Sequence, residues 1–431
     1  MSRQQLHNQL SPRHYALNVF SDVLASHSYC NLRLKELRPL MNDTDYRFVC
    51  ALVYTALDRL LYLDHVLSGF VKKSPKPLVK NILRLGVTEL LFLRTPAHAA
   101  VSEYVSLCAE AGRTELRGFV NAVLRRVDRE RGTLPPLPDD TVDQLSVQYS
   151  CPPWIVSMWI GMYGREAAAK LLSSGTPGTT LRAQYPYTAD QLQAELPVPT
   201  HRGSFDPDAL IAEKGFDFTG FPAFQEGRMT IQSEGSMLIC RAAGDCSGKK
   251  VLDACSAPGG KAAYLASLSG NSLDLTCFEI HRHRVELTRK TLRRLHVPGT
   301  VEERDASVPD QRFDGMFDLV LLDVPCSGFG MFHEKPDLRY AKTESDVAAL
   351  ADLQKKILDT CSRYVKPGGI LLYATCTISL KENEDQIRAF LDNHRDFVPD
   401  RLPFAKGSML QLLPHVHGTD GFFMARLKKC I

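Results

Sequence analysis

A chain of 431 residues is too long for one ordinary hydrophobic core and predicts two or three domains. Hydrophobic residues make up 44% of it, so those domains are globular. No run approaches the roughly 18 to 20 uncharged apolar residues of a membrane helix, and the polar stretch from Met1 to Gln9 lacks a signal-peptide core, so no membrane helix and a cytoplasmic location are expected.

The formal charge of +3 hides an asymmetry: residues 1–131 carry 19 Lys and Arg against 12 Asp and Glu, a net of +7, while the remainder carries 33 against 37. Lys72, Lys73, Lys76, Lys80 and Arg84 form one basic cluster in that N-terminal part, and Arg113, Arg117, Arg125, Arg126, Arg129 and Arg131 form another. Either alone reads equally well as a solvated helix face; two in one small region point to RNA or DNA phosphates. Over residues 11–131 the apolar spacing is helical, with Ser11-Pro12 opening one helix and Asp43 or Thr44 another. Residues 1–131 are therefore expected to be an all-α, nucleic-acid-binding domain. The Pro-rich stretch 132–140 reads as a semi-rigid linker. Residues 141–240, with a helical start over 155–172, read as a small mixed α/β bridging region.

From Lys250 onward apolar strands alternate with amphipathic helices, the pattern of a doubly wound parallel sheet, so a Rossmann-like catalytic domain is expected over 241–431. Strand 251–254 leads into the turn Cys255-Ser256-Ala257-Pro258-Gly259-Gly260-Lys261 and a helix. Strand 273–279 ends in Glu279, helix 281–295 follows, and a short strand near Val301 closes at Asp305. Strand 317–322 ends at Asp323. Helix 346–365, a turn at 366–369 and strand 370–375 place Cys376 at a carboxyl end. All the chemically unusual residues share this edge, where open α/β sheets bind ligands.

The glycine turn lets backbone approach a cofactor, and Glu279, 20 positions after Gly259, can accept hydrogen bonds from ribose hydroxyls. The turn is neither G-x-G-x-x-G nor a P-loop, since Lys261 lacks the preceding glycine spacing and a following Ser or Thr. With no phosphate-binding features, a nucleoside cofactor such as S-adenosylmethionine fits better than NAD or ATP.

The 12 cysteines include no C-x-x-C pair, so reduced thiols and no zinc site are expected. Cys30, Cys50, Cys108, Cys240, Cys277 and Cys361 read as small buried hydrophobes. Cys326 and Cys376 differ, because each follows an apolar strand at the ligand edge beside a loop that leaves sulfur accessible and at lowered pKa. Two such thiols suit covalent attack on a pyrimidine: thiolate addition at carbon 6 of cytosine makes carbon 5 nucleophilic, and a second thiol helps to undo the adduct. His281, His283, His415 and His417 have no partners at ligand-like spacing, and no metal is expected.

The segments Asp253 to Lys261, Asp323-Val324-Pro325-Cys326-Ser327-Gly328 and Ala374-Thr375-Cys376-Thr377 resemble the most diagnostic motifs of the Nop/Sun-type RNA cytosine-5 methyltransferases. The likeness extends through Gln232 to Ser236, and the helical N-terminus is similar to the NusB-type domain fused to the bacterial Sun-type enzymes, which act on small-subunit ribosomal RNA. The resemblance implies that residues 255–261 wrap S-adenosylmethionine, Glu279 takes its ribose and Asp305 its adenine edge. It further implies Cys376 as nucleophile, Cys326 as the thiol that assists release, and Asp323 between cofactor and cytosine, supporting protonation of the ring's amidine face. The expected partner is RNA, and the chain is taken as a monomer. Glu279, Val324, Phe329, the stretch 333–335 and Gln184 depart from the family pattern. Two other functions remain open: a DNA cytosine-5 methyltransferase, against which the Thr-Cys motif speaks, and a non-catalytic RNA-binding assembly or antitermination factor, against which the intact motifs speak.

Overall fold

The computed structural model describes residues 10–26, 29–175, 178–213 and 216–431. Among them no helix is long and apolar enough to cross a membrane. The chain forms two compact units: Met1–Ser173 with Phe332–Lys342, and Ser174–Met331 with Thr343–Ile431.

The first unit is helical. In its helix Arg117–Arg129 the buried residues Val120, Val123, Leu124 and Val127 recur at the spacing that puts one apolar stripe on a helix, and they join Val49, Leu52, Ile82 and Leu83 in one core. Asn42 caps helix Asp43–Asp58, its side chain accepting from the Asp45 N–H at 2.9 Å. Glu89, buried in that core, is bridged by Arg13 at 2.6 Å and receives the Tyr104 hydroxyl at 2.9 Å. The Pro-rich stretch lies along helix Leu60–Phe70: a Cβ on Gly69 would sit 2.5 Å from the Pro135 ring, and His65 Nε2 donates to the Pro136 carbonyl at 2.8 Å. Asp140 then caps helix Thr141–Tyr149, and the helices to Ser173 belong to this unit. The sequence expectation of a linker at 132–140 and one region over 141–240 is thus a different partition from these compact units. Within the first unit, Arg339 donates to the Asp58 and Tyr149 carbonyls at 3.2 Å each, and the Tyr340 hydroxyl to the Ser150 carbonyl at 2.7 Å.

The second unit begins with a four-stranded antiparallel sheet, β1 (Thr179–Ala183), β2 (Thr200–Arg202), β3 (Ala209–Ala212) and β4 (Met229–Ile231), in the order β2-β3-β1-β4. The larger sheet holds β5 (Lys250–Asp253), β6 (Asp274–Glu279), β7 (Thr300–Glu303), β8 (Phe317–Asp323) and β9 (Val365–Thr375), which run parallel, and β10 (Phe397–Pro399), β11 (Met409–Gln411) and β12 (Phe423–Lys429), which are antiparallel to their neighbours. Its order is β10-β12-β9-β8-β5-β6-β7, with β11 on β12, so β5 sits between β6 and β8 and the winding reverses there, opening a crevice at the carboxyl edge. The sheet is therefore mixed, where the sequence predicted a parallel one. The expected turn at 366–369 lies inside β9, with a register shift in its pairing to β8.

Candidate active site

Four strands end at the crevice: Asp253 closes β5, and three residues singled out from the sequence follow from the others, with Glu279 closing β6, Asp323 closing β8 and Cys376 just past β9. The turn after β5 is stapled to β6, because the Ser256 N–H and hydroxyl both donate to the Phe278 carbonyl, at 3.0 and 3.1 Å. Gly259 adopts φ +100° at the start of helix Gly260–Leu268, a conformation that side chains disfavour. A Cβ there would press on Thr288 and Thr291 of helix Arg282–Arg294 at 3.3 Å. The Glu279 carboxylate is buried, accepts from the His281 N–H at 3.1 Å and lies 3.5 Å from Arg284. Asp305 accepts from the Ser307 N–H at 2.8 Å and hydroxyl at 2.7 Å.

The Cys326 and Cys376 sulfurs are 3.3 Å apart, and both residues are half-buried. Lys261 reaches across from the glycine turn to Asp323, Nζ to Oδ2 2.7 Å, and lies over the Phe422 ring. Burial opposes the Lys261 charge, but Asp323, and then Cys240 and Cys376, outweigh it and keep the ammonium protonated. A fixed cation near Cys376 is the setting in which a thiolate forms. Cys326 behaves oppositely: its bond to Cys376, then its burial, push its pKa up, with the Cys376 and Glu382 charges acting the same way. The lowered pKa expected for both thiols is therefore not what Cys326 shows. Two thiols in contact cannot both ionise readily, and the second proton is held by the first charge.

Asp253 is buried, and neither of its carboxylate oxygens has a hydrogen-bond partner of normal geometry. Burial, then the charge of Asp323, push it up to about 7, with Lys261 and the Cys255 backbone opposing. The sequence reading passed over this residue although it opens the first motif.

Also missed was the scaffold behind the thiols. Glu382, fully buried, accepts from the Ser327 N–H at 2.8 Å, the Ser327 hydroxyl at 2.5 Å and Gln354 Nε2 at 3.0 Å, while its own carbonyl receives the Tyr373 hydroxyl at 2.7 Å. Asn383 accepts from the Thr375 hydroxyl at 2.6 Å and donates to the Thr377 carbonyl at 3.0 Å. The Gly330 N–H donates to the Cys376 carbonyl at 3.0 Å, and a Cβ on Gly330 would lie 1.8 Å from the Gly421 carbonyl oxygen, so only glycine fits that crossing. A pair of polar residues six and seven positions past Cys376 was the available signal. Among the departures, Gln184 is buried with both amide atoms unpartnered. Among the described residues no group of three or more His, Cys, Asp or Glu is placed to hold a metal ion.

The basic clusters are partly neutralised. Lys80 and Arg84 both bridge Asp64, at 3.0 and 2.6 Å, Arg126 and Arg129 meet Glu130, and Arg131 meets Asp128.

Residues 245–428 match the model of the 16S rRNA methyltransferase RsmB/F family, and residues 10–129 match that of the NusB family. The chain is 37% identical to a probable ribosomal RNA small subunit methyltransferase B of Bacillus subtilis, over 97% of this chain and 99% of that one. It is 32% identical to ribosomal RNA small subunit methyltransferase B of Vibrio cholerae, over 88% of each. The crystal structure of NSun6 from Pyrococcus horikoshii with SFG, 18% identical, aligns with 65% of this chain and 98% of its own at a TM-score of 0.58, which shows a shared fold.

Proposed function

Because the chain belongs to the RsmB/F family of small-subunit ribosomal RNA methyltransferases, with a NusB-family part ahead of the catalytic one, we propose that it methylates carbon 5 of a cytosine in that RNA, from S-adenosylmethionine, with Cys376 as covalent nucleophile. The observation that carries this is the 3.3 Å contact between two thiols from different strand ends, beside a lysine that is held protonated.

The residues at the crevice fit the cofactor. The glycine turn lies at the end of β5, Glu279 offers a carboxylate for ribose hydroxyls, Asp305 lies past the next strand end for the adenine edge, and Asp253 holds two buried oxygens without partners. When bound, S-adenosylmethionine supplies an activated methyl group.

The target base enters unstacked, with Asp323 on its amidine face. Cys376, as thiolate beside Lys261, bonds carbon 6, and the electron pair of the 5,6 double bond moves toward carbon 5, which takes the methyl group. Cys376 is then a thioether and no longer carries the charge that held the Cys326 proton. Cys326 gives that proton to solvent and, as thiolate, removes the proton from carbon 5. The carbon 6 to sulfur bond breaks, the electrons return to Cys376, and the double bond is restored. The balance is one methyl group in and one proton out.

The test is methylation of small-subunit ribosomal RNA by purified protein with methyl-labelled S-adenosylmethionine, followed by digestion to nucleosides. Label in 5-methylcytidine is expected; label in any other nucleoside would overturn the proposal. Bisulfite sequencing of ribosomal RNA from cells lacking the protein would then locate the base.

A further inference from the structure

The loop that carries Cys326 has no regular structure of its own between β8 and the short turn Phe329–Met331, yet its sulfur is held 3.3 Å from Cys376. Something outside the loop must hold it. The Ser327 backbone N–H and hydroxyl both donate to Glu382, and the Pro325 carbonyl accepts from Gln354 Nε2 at 2.9 Å, while Gln354 also donates to Glu382. The residues before and after Cys326 are therefore tied to one buried carboxylate and its neighbour. Glu382 is in turn fixed from β9 by the Tyr373 hydroxyl, the strand that ends just before Cys376. The same residue, its backbone held from β9 and its carboxylate holding the loop, thus sets one thiol loop relative to the strand of the other. Hydrogen bonds to a buried charge are among the strongest available to a loop.

We propose that Glu382 is a positioning residue for the release step: it holds Cys326 where the thiol reaches carbon 5 of the base once Cys376 is bonded to carbon 6. This rests on the covalent mechanism above, and it separates Glu382 from residues needed for RNA or cofactor binding. Glutamine has the same shape and keeps one oxygen for the Ser327 N–H and Gln354, whereas alanine removes all three bonds to the carboxylate and leaves the loop the Thr377 and Gln354 ties to Ser327, Phe329 and Pro325.

The experiment follows the covalent protein–RNA complex on denaturing gels, with methyl-labelled S-adenosylmethionine, in the full-length protein. Glu382→Ala is expected to accumulate a methylated adduct and release it on the order of tenfold to a hundredfold more slowly than wild type, the scale of a reacting group displaced by about 1 Å. Glu382→Gln is expected to restore most of the release rate, and the affinity for RNA measured without S-adenosylmethionine is expected to stay unchanged in both. If Glu382→Ala does not fold, Ser327→Ala, which deletes the hydroxyl's bonds to Glu382 and to Thr377 and keeps the backbone tie, is expected to slow release by a smaller factor. Cys326→Ala serves as reference. If it accumulates adduct while Glu382→Ala and Ser327→Ala release normally, the role of Glu382 is wrong and the covalent mechanism stands. If no variant, including Cys326→Ala, gives adduct, the covalent mechanism itself fails.

Discussion

Replacing Asp253 by Asn should make the catalytic unit more stable at high pH. Asp253 sits under the crevice with both carboxylate oxygens unpartnered, and burial together with Asp323 pushes it up to about 7, against about 3.9 for an unfolded aspartate. A carboxyl whose folded pKa is raised favours the native state below its unfolded pKa, and that contribution is lost as pH rises through the folded value. The loss spans about three pH units at about 1.4 kcal/mol each, or about 4 kcal/mol in full. Between pH 5 and pH 8 the wild type should therefore lose about 2 to 3 kcal/mol from this group, and Asp253→Asn should not. Trp154 and Trp159, the chain's two tryptophans, both lie in the first unit, so their fluorescence does not follow β5. Hydrogen exchange of the β5 and β8 amides at the two pH values does. An equal pH dependence of exchange in wild type and variant would refute the assignment of a charge buried at a cost.

Asp305→Ala should weaken S-adenosylmethionine binding by about 1 to 3 kcal/mol, the range for a lost hydrogen bond to a charged group; unchanged affinity in calorimetry would contradict its place at the adenine edge. Neutralising Lys72, Lys73 and Lys76 together should flatten the salt dependence of RNA binding by about two units of slope, whereas Lys80→Gln and Arg84→Gln, whose side chains bridge Asp64, should change it less. Equal effects from both sets would show that the phosphate track is not confined to the unbridged lysines. Arg13→Ala leaves the buried Glu89 with only the Tyr104 hydroxyl and should cost about 3 kcal/mol, read by tryptophan fluorescence in urea; a loss under about 1 kcal/mol would contradict the pairing.

The alternation of strands and helices from Lys250 onward was legible because parallel strands are buried on both faces and read as unbroken apolar runs, and their ends carry the polar residues. That alone brought Glu279, Asp323 and Cys376 to one edge. Strands β10 and β11 were not legible, since three residues each carry no measurable period, and their antiparallel pairing depends on contacts far along the chain. Glu382 was missed for the same reason: its partner Ser327 lies 55 positions away, and one glutamate within a run of polar residues looks like any solvated residue. The packing of the Pro-rich stretch on helix Leu60–Phe70 was not legible, because an extended segment without internal hydrogen bonds looks identical in sequence whether it spans solvent or packs on a helix. The pairing of Lys80 and Arg84 was not legible because their partner, Asp64, belongs to a different helix.

The contact between the two sulfurs is where the chemistry is decided, and the most direct measurement separates them. Cys376→Ala and Cys326→Ala are each incubated with small-subunit ribosomal RNA and methyl-labelled S-adenosylmethionine, then run on a denaturing gel. Cys376→Ala should give neither methylated RNA nor a covalent complex, and Cys326→Ala should accumulate a complex carrying one labelled methyl group per bound RNA. A complex trapped by Cys376→Ala and absent from Cys326→Ala would reverse the assignment of nucleophile and helper.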